Sequence, residues 1–374
     1  MRKETRFAFA ALAVQIALLN GVASAHEKFS VDPSIQQKLE VAVQESDGFL
    51  KQINIIGVDE QSGEALLLGV NGPVASRTDT SGGTRRSPLS RSTLSKDSYV
   101  CKQTNFDSAF PYALLDAWAK FPDFQVKLSN AIILRQALDR IMIGFNGTSA
   151  AATTNRAANP LLQDVNIGWL EKIRVSAGDR VLDAATIGPR KVIKVAGVDT
   201  VFEGDYANLD GLVFDAIQML DPWHRNRPDL RVMVSRNLMH SKLLAAVEKG
   251  ADSNQEENAA QEIVSRARLG GLPVVDAPFF PDNTVLITTL SNLSIYYQNG
   301  ARRRHLKDEP ELDRIADYQS SNEAYVIEDF GLVALVEGIT AVSYPVPTEA
   351  PEPVGSPEQT EAPEPAGSPE QTEA

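Results

Sequence analysis

Residues 123–146 (DFQVKLSNAIILRQALDRIMIGFN) constrain this chain more than any other stretch, because their periodicity permits little except a helix. Phe124, Leu128, Ala131, Leu138, Met142 and Phe145 recur at steps built from three and four and share one face. Val126, Ile133 and Ala137 lie on the opposite face. A helix that is apolar on two sides must be covered on two sides, by its own domain or by a neighbouring chain. Pro122 suits the start, where a missing N–H costs nothing, and Gly144, Asn146 and Gly147 supply the stop. At 1.5 Å rise per residue the rod is roughly 35 Å long, about the width of a small domain. It reads as a spine for the rest, although an ordinary core helix would show the same spacing.

The chain around this rod is long enough, at 374 residues, for two domains with real cores. The formal charge of −13 is unevenly spread: residues 348–374 hold seven Glu and no basic residue, which leaves −6 for everything before them. A mildly acidic body without a basic stripe implies at most weak or indirect contact with nucleic acid. The single cysteine, Cys101, excludes an intrachain disulfide and a thiolate metal cluster. His26, His224, His240 and His305 are scattered without HExxH or HxH spacing and read as plain surface or core residues.

The N-terminus looks like an export signal. Arg2, Lys3 and Arg6 precede an apolar run over 7–19, and Ala23-Ser24-Ala25 is an A-x-A pattern that would release a chain starting at His26. The other reading is a helix packed inside an assembly precursor and later removed. A second helix starts at Asp32 as N-cap with Pro33 in the first turn, carries Ile35, Leu39, Ala42 and Val43 on one face, and ends near Gly48. Residues 53–58 and 64–70 read as strands.

Residues 71–96 (NGPVASRTDTSGGTRRSPLSRSTLSK) hold almost nothing to bury. Gly82-Gly83 lacks the surroundings of a phosphate loop. A hairpin arm laid on another subunit, with Arg77, Arg85, Arg86 and Arg91 meeting acidic partners, accounts for the composition, and so does a solvated loop. A short helix around 114–118, a small-residue linker at 150–159 and an amphipathic helix over 161–174 follow. From about Tyr206 helix and strand alternate: helix 209–220, strand 230–235, helix 237–247, then strands 272–275 and 284–290, an α/β unit of some 85 residues. Residues 293–298 resume long strands, 302–305 read as a solvated turn, and 324–340 as one long strand-type run. Within that run Glu328 and Asp329 point to opposite faces, which suits a structural pair and not acid–base catalysis.

From Pro345 the sequence becomes a twelve-residue repeat, TEAPEPVGSPEQ then TEAPEPAGSPEQ, which cannot bury apolar area and reads as an extended disordered tail. No nucleophile elbow, catalytic triad context or metal box is present, so neither enzyme chemistry nor a cofactor is expected. Asn146-Gly147-Thr148 and Asn292-Leu293-Ser294 match glycosylation sequons, which arise by chance in chains of this length.

Taken together, MRKETRF, TDTSGGTRR, QTNFD, LDAWAKFPDFQ, FNGTS, NPLLQDVNIGWL, DYANLDGLVFDA, NLSIYYQNGARRR and NEAYVIEDFGLVALVEGI resemble, in order, blocks of one family, the major capsid proteins of peduovirus-type (P2-like) contractile-tailed bacteriophages. The resemblance spans about residues 1–339. It implies an α+β chain with the Hong-Kong-97 capsid fold: an N-terminal segment, 1–29, removed in maturation by a cut near Phe29-Ser30; an N-terminal arm, 30–58; a long hairpin extension or E-loop, 59–107; a peripheral domain built on the spine, 108–205 with 291–342; and an axial α/β domain, 206–290. Residues 343–374 would be a tail added to this plan, and 7–19 is more apolar than the family leads one to expect. The implied partners are further copies of the chain in pentamers and hexamers, a scaffolding protein that carries a protease, a portal protein, and packaged double-stranded DNA held only weakly, with no membrane. Assembly would take place in the host bacterial cytoplasm. Two rivals from other classes remain at this point: an exported periplasmic binding or hydrolytic protein, and a monomeric adaptor or decoration protein.

Overall fold

The computed structural model describes residues 1–70, 75, 77–79, 81, 85, 92–118, 124–183, 193–195, 205–206, 208–240 and 268–341. Its helices are α1 (Lys3–Leu19), α2 (Pro33–Ser46), α3 (Tyr112–Trp118), the spine α4 (Phe124–Asn146), α5 (Trp169–Ser176) and α6 (Leu209–Ala216). Residues 236–240 are helical too, and the rest of the helix expected over 237–247 lies outside the described residues.

A seven-stranded sheet is centred on the strand Arg314–Ile327. Arg303–Glu309 and Leu293–Gln298 pair along it antiparallel, and Lys102–Asn105 and Ser108–Pro111 pair across from them. Ser320, for example, faces Arg303 on one side and Asn105 on the other. The short strand Phe29–Ser30 closes one edge against Arg303 and Arg304, and Asn54–Val58 lies parallel to Leu293–Gln298 at the other. A second, six-stranded sheet runs in the order Arg268–Leu269, Leu272–Val275, Arg231–Val234, Val285–Thr288, Ala334–Val336, Val181–Leu182. Two of its strands, 181–182 and 334–336, come from outside the 206–290 window.

Alternation along the strands of this second sheet places its two cores. Met233, Leu286 and Leu335 enter a core shared with the spine, α5 and the seven-stranded sheet, while Val232, Val234, Val285, Ile287, Ala334 and Val336 point to α6 on the other face. A strand covered on both faces reads as a continuous apolar run, which is why VLIT and ALV carry no polar beat. The joint between the sheets is pinned by Asn292, whose amide donates to Thr288 Oγ1 and Asp329 O while its Oδ1 accepts the Asp329 N–H. That sequon asparagine is therefore consumed inside the fold.

The spine meets α5 at glycines. Gly168, the N-cap of α5, donates to Gly147 O, and a Cβ added at Gly168 would lie 2.4 Å from both Ile143 O and Gly144 O. Backbone cannot yield as a side-chain tip can, so Gly168→Ala is expected to cost about 2–3 kcal/mol in chemical denaturation. A cost under about 0.5 kcal/mol would mean that the crossing is not this tight.

Several expectations are corrected. The helix expected over 161–174 begins only at Trp169, because 161–168 is turn and coil in which Leu162 takes φ +58° and the Asn166 amide donates to Glu323 O. Residues 302–305 are no solvated turn: Arg302 is 2% exposed and Arg303–Glu309 is a strand. The run 324–340 is broken at Phe330–Leu332 by a turn that Asp329 caps through the Gly331 N–H, so its halves join different sheets. Helix α2 presents Gln36, Glu40 and Val43 most deeply, with a polar middle in place of the expected apolar face. Asp32 does cap it, accepting the Ser34 N–H at 2.8 Å.

Candidate assembly surfaces and processing site

The strands Ser62–Val70 and Ser92–Val100 pair antiparallel over nine positions, from Ser62↔Val100 to Val70↔Ser92, and belong to no other sheet among the described residues. At roughly 3.4 Å per residue they form a limb about 30 Å long. Its root is fixed: Cys101 N–H donates to Gln61 O, and Tyr99 meets Tyr296 edge-on at 5.1 Å over Ala324 and Val326. Burial pushes the Cys101 thiol up to about 11, with Glu323 adding to it, so this sulfur is an inert packing group. The strands that flank residues 71–91 thus pair as a hairpin does, with Ser92–Lys96 strand and not loop, and most of 71–91 lies outside the described residues. Arg77 and Arg85 are exposed at its far end, and Arg86 and Arg91 lie outside the described residues.

Helix α1 with the segment after it forms a satellite core of its own, in which Ala13, Ile16, Ala17, Ala25, Phe29 and Val31 close on Leu306. The start of α1 is held by Asp116 of α3, which accepts from Arg2 N–H at 2.8 Å and Thr5 Oγ at 2.6 Å. Both candidate cut sites sit in this packed segment. Ala25 is buried and its carbonyl accepts the Leu306 N–H; His26 is exposed beside it, and its carbonyl faces His305 Nε2. Phe29 is buried and Ser30 exposed, in an edge strand of two residues. A protease reading either bond needs local opening of the strand, a cheaper event than global unfolding because the main core is not involved.

The residues that tie arm, spine and sheet together are charged. Arg140 of the spine, fully buried, donates Nη1 to Glu40 Oε2 at 2.6 Å and Nη2 to Glu323 Oε1 at 2.6 Å. Arg302 donates Nη1 to the other oxygen of Glu40 at 3.0 Å and Nη2 to Gln136 and Gln319 at 2.8 and 3.0 Å. Burial pushes the Glu40 carboxyl up, yet the Arg140 and Arg302 guanidiniums outweigh it and hold it below its ordinary value. Two cations and two carboxylates make the set neutral, the condition for keeping charge out of water. Reading apolar periodicity missed it. The legible signal was Gln136 and Arg140, a polar pair four residues apart on the covered side of the spine.

The spine is not fully covered by the described residues of its own chain. Its second half is buried, but in the first half Val126 is 62% exposed and Leu134 43%. A two-stranded ribbon that joins no other sheet among the described residues, with a rod whose first half stays exposed, is what a subunit of a larger body presents.

Comparison with known proteins settles which body. A family model described as phage major capsid protein, P2 family, matches residues 8–339. The chain belongs to that family. It is 46% identical over 354 residues to the capsid proteins of Escherichia phage P2, covering 94% of this chain and 98% of that one. It is 45% identical over 345 residues to the major capsid protein of Serratia phage KSP20, covering 91% and 98%. In three dimensions it resembles a chain of the satellite phage P4 procapsid including size determination (Sid) protein, at a TM-score of 0.74 and 43% identity over 91% of this chain and 99% of that one. The α+β architecture is therefore the Hong-Kong-97 capsid fold, in a family of structural capsid proteins and not of enzymes. A P2-family major capsid protein has its place in the virion capsid, and the export reading of the N-terminus finds no support. No helix among the described residues is long and apolar enough to cross a membrane.

Proposed function

We propose that copies of this chain close into pentamers and hexamers of an icosahedral head around double-stranded DNA by laying the hairpin limb across the next subunit. One observation carries this reading: nine paired positions, Ser62 to Val70 against Ser92 to Val100, form a two-stranded ribbon that joins no other sheet among the described residues. A limb meeting a different patch on the neighbour makes a heterologous contact, which closes into rings when the rotation allows. Arg77, Arg85, Arg86 and Arg91 supply cations for acidic groups there. Val126 and Leu134 on the open half of the spine are further candidates for cover by a neighbour. Residues 108–205 with 291–342 act as the peripheral domain and 206–290 as the axial one, completed by the strands at 181–182 and 334–336. The weakly acidic body holds packaged DNA loosely.

Assembly proceeds in the host cytoplasm on a scaffolding protein that carries a protease, with a portal protein at one vertex and no membrane step. The protease then removes residues 1–29 by cutting Phe29-Ser30. What supports this is the separateness of the satellite core: its loss leaves the main core and the Glu40–Arg140 contact in place. Intact mass measurement of particles made with the scaffold–protease is expected to show chains starting at Ser30. A start at His26 in a periplasmic fraction would overturn the assignment.

A further inference from the structure

Beyond the family match, which stops at residue 339, the acidic tail has a periodicity that its twelve-residue repeat does not by itself require. All seven Glu, from Glu349 to Glu373, fall on a single frame of three, and the only other positions in that frame are Gly355 and Gly367. Pro-rich chains favour a helix of three residues per turn rising about 3.1 Å each. In that conformation every carboxylate stands on one edge, one per turn of about 9 Å, and the opposite edges are free of charge. Such an edge suits a short basic cleft, whereas a body of charge −6 repels it almost everywhere else.

The described surface holds a cleft of that kind. It measures about 420 Å³ and opens where the edge strand Phe29–Ser30 meets Arg303–Glu309. Lys28, Arg303, Arg304, His305 and Lys307 line it, against one carboxylate, Asp107, which already accepts the Gln319 N–H. Arg304 is held by Asp317 at 2.7 Å and Lys307 by Glu309 at 3.3 Å. Among the described residues Lys28 and Arg303 have no carboxylate within ion-pair distance, and His305 stacks on Tyr318 at the rim. With Arg304 and Lys307 paired, Lys28 and Arg303 face only Asp107, so the cleft is short of negative charge by about one to two charges, which one or two tail carboxylates supply.

We propose that the acidic edge of residues 348–374 lies in this cleft, against Lys28, Arg303, His305 and Lys307, on its own subunit or on an adjacent copy. Reach is no obstacle. The last described residue is Ala341, and the 33 residues after it span up to about 100 Å when extended, against a radius of gyration near 20 Å for a body of this size. Tethering holds the tail at millimolar effective concentration, so an intrinsic affinity in the millimolar range suffices to populate the bound form about half of the time.

The test is competitive amine acetylation of the full, unassembled chain, so it does not depend on shell formation. The comparison is a chain in which all seven tail Glu are replaced by Gln, a change that leaves everything before Glu349 untouched. Lys28 and Lys307 are expected to react about threefold more slowly in the unaltered chain at low salt, and the difference to vanish near 1 M salt, where the screening length is about 3 Å. Arg303→Glu, an exposed substitution, should abolish the protection. Lys51 and Lys127 should react alike in both chains. Carbodiimide coupling of mixed isotope-labelled and unlabelled chains then places the tail on its own subunit or a neighbour's. Equal rates at Lys28 and Lys307, protection spread over all four lysines, or protection indifferent to Arg303→Glu would each overturn the proposal.

Discussion

Replacing residues 66–96 with an Asn-Gly turn is expected to leave a folded monomer that forms no shells. The cut follows the register: Ala65 faces Asp97, so a two-residue turn of the hairpin type closes the stump without a slip. The root survives, because Tyr99, Cys101 and Tyr296 and their packing lie outside the deletion. Thermal unfolding should then shift by only a few degrees, since about 1 kcal/mol corresponds to roughly 2–4 °C in a chain of this size. Assembly should respond far more strongly. Obligate contacts of this kind typically bury about 2,000 Å² or more, and losing the limb removes one such contact from every subunit at once. Sedimentation and negative-stain microscopy with the scaffold supplied decide the matter. Particles of normal size and number from the shortened chain would show that the limb is not the closing contact.

How much of this was legible beforehand depended on whether a local rule decided the segment. The spine was, because twenty-three residues of helical spacing leave tertiary context little to override. So was the start of α2, where Asp32 and Pro33 act through their own backbone. Segments decided at long range were misread. Residues 302–305 (RRRH) have the composition of a surface turn, and nothing within ten positions says that Arg302 will meet Glu40, 262 residues earlier. The coil at 161–168 resembles half an amphipathic helix, but its shape is set by the backbone crossing at Gly147 and Gly168. The six-stranded sheet could not be bounded from sequence because its strands at 181–182 and 334–336 are two and three residues long, below the length at which alternation is visible. Motif order pointed to the capsid where periodicity alone left export and adaptor readings open.

Arg140→Met should be the most damaging single substitution in the body, at about 3–5 kcal/mol in chemical denaturation. Its cost is not the loss of one hydrogen bond. Glu323 is fully buried and has no other cation within ion-pair distance among the described residues, so the substitution strands a carboxylate out of water. Glu40 keeps Arg302. Removing the stranded partner as well, in Arg140→Met with Glu323→Leu, is therefore expected to recover more than half the loss, because the remaining Glu40–Arg302 pair is neutral by itself. The pH dependence follows from the sign of the Glu40 shift. Burial raises that carboxyl, the two guanidiniums more than reverse the effect, and the folded pKa ends below the ordinary 4.5. A carboxyl lowered by folding contributes stability above its unfolded value and loses it as the pH falls through the folded one. Unaltered protein should thus keep this contribution from neutrality down to about pH 5 and lose it below about 4.5. In the Arg140→Met chain Glu40 lacks one of the two guanidiniums that hold its carboxyl down and takes up its proton more readily, so the gap between the two proteins should narrow in the same range. A gap under about 1 kcal/mol at pH 7, or one that stays constant into acid, would show that these groups are not the desolvated clamp between arm, spine and sheet.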